Sequence, residues 1–242
     1  MTRVMAAHQP NYLPYLGFFD KLKSVDELGT EPGVFIIRDD VQYVKKEFHD
    51  RNKIRVNEGW KWLRVPVQRK MAPLNTIKIK EEGRINNVPW AVYHLRLIEA
   101  NYKKTPFFDK FYPGLKEIYL NPGANLVVFN TRIIKYIAEC FGIKTKIVLF
   151  SEIPEIIKGI NASETLVNAS KAVGADIYFS GVGSKAYLDV SCFKDVKLKF
   201  QEYKHPVYPQ RFPKFEPYMS AIDALFNIGR LPFSGEIVKT DR

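Results

Sequence analysis

His8 opens the densest run of reactive and hydrogen-bonding side chains in the sequence, Ala7-His8-Gln9-Pro10-Asn11-Tyr12-Leu13-Pro14-Tyr15. An imidazole can take and return a proton near neutrality, and Gln9 and Asn11 beside it offer donors and acceptors for orienting a substrate. The competing reading is a buried His8 and Gln9 that merely satisfy nearby backbone groups. A second constellation is Asp39-Asp40. Adjacent residues of a strand point to opposite sides, so one carboxylate faces a site while the other caps a turn or pairs with a cation. The one in the site could hold a magnesium ion on a phosphate or accept a proton from an attacking amine.

The stretch 38–70 carries ten positive side chains, from Arg38 to Lys70, against five negative ones, a net +5 in 33 residues. Within it Arg51 could clamp a phosphate bidentately, with Lys45 and Lys46 as point charges and Gln42 and Asn52 as neutral partners. A solvated basic face is the alternative. A third constellation, Ser180-Gly181-Val182-Gly183-Ser184-Lys185 leading to Tyr187, follows a strand pattern, and bare amides there can cradle an anion. Walker spacing is absent, and a tight turn with positive φ at glycine competes with that reading. The fourth is Tyr203-Lys204-His205-Pro206-Val207-Tyr208-Pro209-Gln210, in which His205 joins His8 and His49 as acid–base candidates.

Apolar patterning supplies the elements that must position these groups. Arg3–Ala7, Val34–Ile37, Val41–Val44 and Trp60–Val67 read as strands, with Pro66 marking an edge or an end, and Ile77 and Ile79 alternate with lysines as another. From about 87 to 142 the period turns helical, in three stretches, the first opening at Pro89 and the last closing at Gly142. His94 falls on the apolar stripe of the first. Strand and helix alternate again through Lys146–Phe150, a helix over Ser163–Val173, Ile177–Ser180 and a strand through Val196, Leu198 and Phe200. Ser220-x-x-Asp223 is spaced to cap a last short helix.

The pattern implies an α/β fold with a mostly parallel sheet flanked by helices, a single domain over 1–242 with a helical sub-lobe at about 87–142. A parallel sheet could bring His8, Asp40, Arg51, Ser180 and His205 to one cleft, since each adjoins a strand pattern.

The net charge of +11 calls for an anionic partner: a nucleotide, a nucleotide sugar, nucleic acid or a membrane surface. Cys140 and Cys192 lack metal or disulfide spacing and read as buried free thiols, so no metal site is indicated. The apolar start is cut by His8, Gln9 and Pro10, which argues against a secretory signal and for a cytoplasmic chain. No apolar run is long enough to cross a bilayer. Neither a Ser-His-Asp order nor His-Glu-x-x-His occurs.

His8-Gln9-Pro10-Asn11-Tyr12-Leu13-Pro14 followed by Gly17-Phe18-Phe19-x-Lys21 closely resembles the opening signature of the WbqC-like proteins. Asp39-Asp40-Val41-Gln42-Tyr43, Arg51-Asn52-Lys53-Ile54, Trp62-Leu63-x-Val65-Pro66-Val67, Tyr178-Phe179-Ser180-Gly181 with Tyr187-Leu188, and Tyr203-x-His205-Pro206-x-Tyr208-x-Gln210 with Ser220-Ala221-Ile222-Asp223 follow in the family's order. Tyr15 stands where tryptophan is common, and Arg64 where a small hydroxyl residue is expected. The resemblance implies a transferase of O-antigen-type polysaccharide precursor synthesis that attaches a small acyl group, glycyl in one proposal, to an amino sugar or nucleotide-activated amino sugar. In that reading His8, Asp40 and His205 are catalytic. ATP with magnesium, or an aminoacylated RNA, would supply the activated acyl group. A nucleic-acid-binding protein without catalysis is the alternative from a different class. The layout is more distantly similar to nucleotidylyltransferase-like folds, although Leu16-Gly17-Phe18 replaces the end of their His-x-Gly-His motif.

Overall fold

The computed structural model describes residues 1–68 and 71–238, so Arg69 and Lys70 of the basic stretch lie outside the described residues. In chain order the elements begin β1 (Val4–His8), α1 (Leu16–Glu27), β2 (Val34–Ile37), β3 (Arg51–Arg55), β4 (Trp60–Arg64), β5 (Arg84–Ile85) and β6 (Val88–Pro89). Three helices follow, α2 (Trp90–Tyr102), α3 (Phe108–Leu120) and α4 (Leu126–Cys140). The chain then forms β7 (Lys146–Leu149), α5 (Ala162–Ala172), β8 (Ile177–Ser180), β9 (Lys197–Phe200) and α6 (Ile222–Ile228). These fall into two compact units: one takes Met1–Gln9, Asp20–Asp40 and Ile143–Tyr203, and the other Pro10–Phe19, Val41–Gly142 and the chain from Lys204 onward.

The first unit is a five-stranded sheet in the order β7-β2-β1-β8-β9, parallel throughout. Val4–Ala7 and Val34–Ile37 are buried at every position, as strands covered on both faces must be. Met5, Ala7, Ile36 and Tyr178 pack on one face with Leu166, Val167 and Ala169 of α5. Phe35 points to the other face, where Lys21 of α1 lies over its ring, 5.7 Å from the centroid. The sheet is therefore wound on both faces, and numbering only its own strands gives the order 3-2-1-4-5. Its connections run outward from β1 to one side and then return to the other at β8. The carboxyl ends of β1 and β8 flank that reversal, which is where open α/β sheets hold ligands. Helix α5 starts one residue earlier than the sequence pattern gives, capped by Asn161, which accepts the Glu164 amide, and it is followed by Gly174 at φ +64°.

The second unit contains the antiparallel ribbon β3–β4, the two-residue hairpin β5–β6 turning at Asn86 and Asn87, and the helices α2–α4 and α6. Tyr12, Trp90, His94, Tyr119 and Phe129 interlock in its core with tilted and edge-on rings. Asn125 caps α4 by accepting the Val127 and Val128 amides. Pro89 occupies the cap of α2, one place before its first helical residue.

Several expectations need correction. Val41–Val44 is not a strand: Gln42 makes a single bridge to Pro73, and the chain then turns through a left-handed Lys46 at φ +77°. Ile77 and Ile79 are buried between exposed lysines as the alternation implies, yet they make only isolated bridges. Strand β3 was hidden in the basic stretch: its inward residues are Asn52 and Ile54. Ser220 does not cap α6 with its side chain, and Asp223 is turned wholly inward. Cys140 and Cys192 are free but only half-buried. Among the described residues no helix is long and apolar enough to cross a membrane.

Candidate functional site

The parallel sheet carries His8, Asp40 and Ser180 to one edge of the first unit, because they end or follow β1, β2 and β8. Arg51 and His205 belong to the other unit. Half-buried His8 has Nδ1 3.0 Å from the Gln9 carbonyl oxygen. A carbonyl only accepts, so the neutral ring carries its proton on Nδ1 and its lone pair on Nε2. That is the form a general base requires.

Arg38, the first residue after β2, forks onto Asp40, with Nε 2.7 Å from Oδ1 and Nη2 3.1 Å from Oδ2, and its guanidinium lies 4.7 Å over the Phe150 ring. Lys158 reaches the same carboxylate at 3.2 Å. Burial alone would raise the Asp40 pKa, but the two cations outweigh it and hold the carboxyl below its ordinary range. Asp40 is thus an ionised clamp rather than a base tuned to neutral pH. Two cations share the Asp40 carboxylate. Arg38 also pulls down the phenols of Tyr178 and Tyr187 against the burial that raises them, so its charge reaches the β8 side of the reversal.

Buried Asp39 accepts from the Ser151 amide at 3.0 Å and the Ser151 hydroxyl at 2.5 Å, fixing the turn after β7. One aspartate caps and the other pairs with cations. Neither carboxylate is left to carry magnesium, so the expected ion does not fit these two residues. After β8, Gly181 and Gly183 enter a 3-10 turn over Val182–Ala186, and neither has positive φ. The Ser184 hydroxyl donates to the Gly181 carbonyl and accepts from Ser180, each at 2.6 Å. The Ser184 amide is bound to the same carbonyl, so it adds nothing to an anion cradle. Tyr187 stands 66% exposed beyond the turn.

Sequence reading did not single out Lys21 as a site residue. Its side chain is 3% exposed, donates to the Ala7 carbonyl oxygen at 2.9 Å next to His8, and has no acidic partner among the described residues. Burial pushes its ammonium down to about 7. Its neighbour Asp20 accepts from Gln201 at 2.6 Å, and burial raises that carboxyl. The signal was its place one turn inside a helix that follows a polar strand end.

A family model described as the WbqC-like protein family matches residues 9–232. The chain belongs to the WbqC-like family. An uncharacterized protein of Mycobacterium tuberculosis (strain ATCC 25618 / H37Rv), Rv1507c, is 33% identical over 229 residues, covering 93% of this chain and 94% of its own. No solved structure matches the chain significantly. Membership in the WbqC-like family points no further than a part in polysaccharide-related biosynthesis.

The geometry also shows what many WbqC-like motif residues do locally. Tyr12 is buried and its hydroxyl bridges His94 Nδ1, at 2.9 Å, and the Tyr119 hydroxyl. Asn52, expected to touch substrate, instead donates to the Leu13 carbonyl at 2.6 Å, holding a residue whose φ is +44°. Asn11 is itself buried. Arg51 folds its guanidinium over Trp62 and bonds the Lys46 carbonyl, so Lys45, Lys46 and Arg51 do not form a phosphate clamp; Gln42 is exposed. His49 is fully buried and accepts from the Val44 amide, which removes it as an acid–base candidate. Both nitrogens of His205 serve main chain: Nδ1 lies 2.7 Å from the Pro206 carbonyl and Nε2 accepts from the Tyr218 amide at 3.0 Å. That positions a loop and leaves no lone pair for catalysis.

Tyr208 and Gln210 converge on Asp223 in the same way. Asp223 is fully buried, and its carboxylate accepts from Tyr102 at 3.0 Å and from Tyr208 and Gln210 at 2.8 Å each. Burial raises its pKa to about 6, opposed by those three donors and the charge of Arg55. Asp223→Asn turns an amide donor toward one of three donors and should destabilise the protein by about 1–3 kcal/mol. Below the folded pKa the wild-type carboxyl is neutral and its burial penalty relaxes. Urea titrations should therefore show a larger deficit at pH 5 than at pH 7; an equal deficit at both pH values would remove Asp223 as the organiser of this motif block.

Proposed function

We propose that the chain is a transferase of surface-polysaccharide (O-antigen type) precursor synthesis. It joins a small acyl group, with glycyl the leading candidate, to the amine of an amino sugar or nucleotide-activated amino sugar. One observation carries the reading: at the strand reversal of a 3-2-1-4-5 parallel sheet, the His8 imidazole ends β1 and the Arg38 guanidinium follows the adjoining β2. The reacting amine attacks the acyl carbon, the carbon–nitrogen bond forms as the carbon–oxygen bond to the activating group breaks, and His8 takes the amine proton. Arg38 stabilises the departing oxyanion or the phosphates of the sugar nucleotide. Ser180, Gly181, Gly183, Ser184 and Tyr187 wall the β8 side, and Gln9 follows His8 on the β1 side. Acyl adenylate and aminoacylated RNA remain the two donor chemistries consistent with this arrangement.

The test is a panel of nucleotides and sugar nucleotides screened by thermal shift and calorimetry, followed by incubation with glycine and ATP and detection of an amide product by mass spectrometry. Arg38→Ala should weaken a confirmed anionic ligand by about 1.5–3 kcal/mol. His8→Gln should cut turnover by about 100-fold or more while the melting temperature holds. Unchanged turnover in His8→Gln, or a confirmed nucleotide whose affinity ignores Arg38, would remove the sheet edge as the reacting site.

A further inference from the structure

The ribbon β3–β4 is not used by the reading above. Its register pairs Arg51 with Arg64, Lys53 with Trp62 and Arg55 with Trp60, so these six share one face. Arg55 is buried and spends its guanidinium on the carbonyls of Val56, Gly59, Pro213 and Lys214, which pins the ribbon down. The other five form a ladder of rings and cations. Trp60, 42% exposed, meets Trp62 edge-on at 5.5 Å, and Phe48, 41% exposed, tilts against Trp62 at 6.1 Å. Lys53 Nζ lies 4.6 Å from the Trp60 centroid and Arg51 lies 4.6 Å from that of Trp62. Arg64 and Lys80 line an adjoining cleft of about 470 Å³ with Pro66, Val67 and Ile85.

None of Arg51, Lys53 and Arg64 has an acidic partner among the described residues. Large exposed rings interleaved with unneutralised cations fit a ligand that alternates anionic and planar groups. The face holds donor-only side chains: tryptophan, arginine and lysine. Phosphodiester oxygens only accept and match such a face, whereas sugar hydroxyls also need acceptors, which this face lacks. We infer that the β3–β4 ribbon binds single-stranded nucleic acid, with bases stacked on Phe48, Trp60 and Trp62 and phosphates on Lys53 and Arg64. The net charge of +11 steers such a strand toward the protein. The inference stands apart from the transferase reading, since none of these residues is assigned to that reaction.

Fluorescence anisotropy of a labelled single-stranded oligouridine, titrated at low and moderate salt, tests it. Trp60→Ala, an exposed change, should weaken binding roughly 5- to 100-fold, the range for one lost stacking partner. Lys53→Gln should lower the slope of log affinity against log salt by about 0.7. Melting curves matching wild type show that both variants fold, and should either fail that check, Trp60→Leu and Lys53→Met, which remove the same ring and the same charge, replace them with the same expectations. Binding that ignores Trp60 and is matched by heparin at equal charge would reduce the face to a general polyanion patch and overturn the inference. Tighter binding of an acidic polysaccharide than of the oligonucleotide, or no binding at low salt, would overturn it as well.

Discussion

Lys21→Met is expected to give a protein more stable than wild type below pH 7. The Lys21 ammonium is enclosed by α1 and the sheet, 3% exposed, with a single carbonyl partner and no acid beside it. Its folded pKa of about 7 lies below the ordinary 10.5, so the folded state disfavours the charged form. Below pH 7 the lysine is charged in both states and the penalty is complete. Between about pH 7 and 10.5 the unfolded chain holds a proton that the folded chain has released, and stability rises with pH. The shift corresponds to about 5 kcal/mol, from which the lost hydrogen bond to Ala7 subtracts about 1–3. Urea titrations should therefore show the methionine variant more stable by about 2–4 kcal/mol at pH 6, with the gap closed or reversed by pH 10. A variant less stable at pH 6 that keeps the wild-type pH slope would show that Lys21 is comfortably charged. Turnover unaffected by the change would leave it a structural residue of the strand end beside His8.

The doubly wound sheet was legible because its central strands are short, largely apolar and bounded by polar loops, as Val34-Phe35-Ile36-Ile37 is before Arg38-Asp39-Asp40. The helices of 87–142 were legible from period alone. Strand β3 was not, because Arg51 and Lys53 alternate with buried Asn52 and Ile54, and the third charged residue, Arg55, is itself buried and held by main-chain carbonyls. The site residues divided along the same physical line. Residue type says which groups can bind or transfer protons, but not whether a partner within the chain already occupies them. Asp39, Asn52, His205, Tyr208 and Gln210 each have the right chemistry for a ligand, and each is held by Ser151, Leu13, Tyr218 or Asp223. Lys21 shows the converse. A lysine on a helix reads as solvated, and only its burial against Ala7 and Phe35 reveals the tension it is held under.

Acidification should weaken the protein from about pH 6.5 downward, before most of its carboxylates begin to titrate. His49 and His94 are both 0% exposed and neutral in the folded state, with burial holding their pKa values at about 4 and about 3 against an ordinary 6.5. As pH falls below 6.5 the unfolded chain binds protons that the folded chain refuses, so stability falls with pH through that window. By pH 4 the two imidazoles together should remove about 6 kcal/mol. Asp223 opposes them, because its carboxyl, raised to about 6, takes a proton in the folded state first and returns about 2 kcal/mol over the same interval. The net loss of about 4 kcal/mol is a large share of the 5–15 kcal/mol typical of a folded chain. Trp90 lies edge-on to His94 at 5.3 Å, so its fluorescence reports the event directly. His94→Asn keeps an acceptor for the Tyr12 hydroxyl without a titrating group, and should move the acid midpoint down by at least half a pH unit, roughly what removing one buried imidazole's share of the slope implies. A wild-type midpoint below pH 3.5, or one that His94→Asn and His49→Gln both leave in place, would mean that the folded protein accommodates charged imidazoles and that the core around Tyr12 and Tyr119 is wetter than its geometry shows.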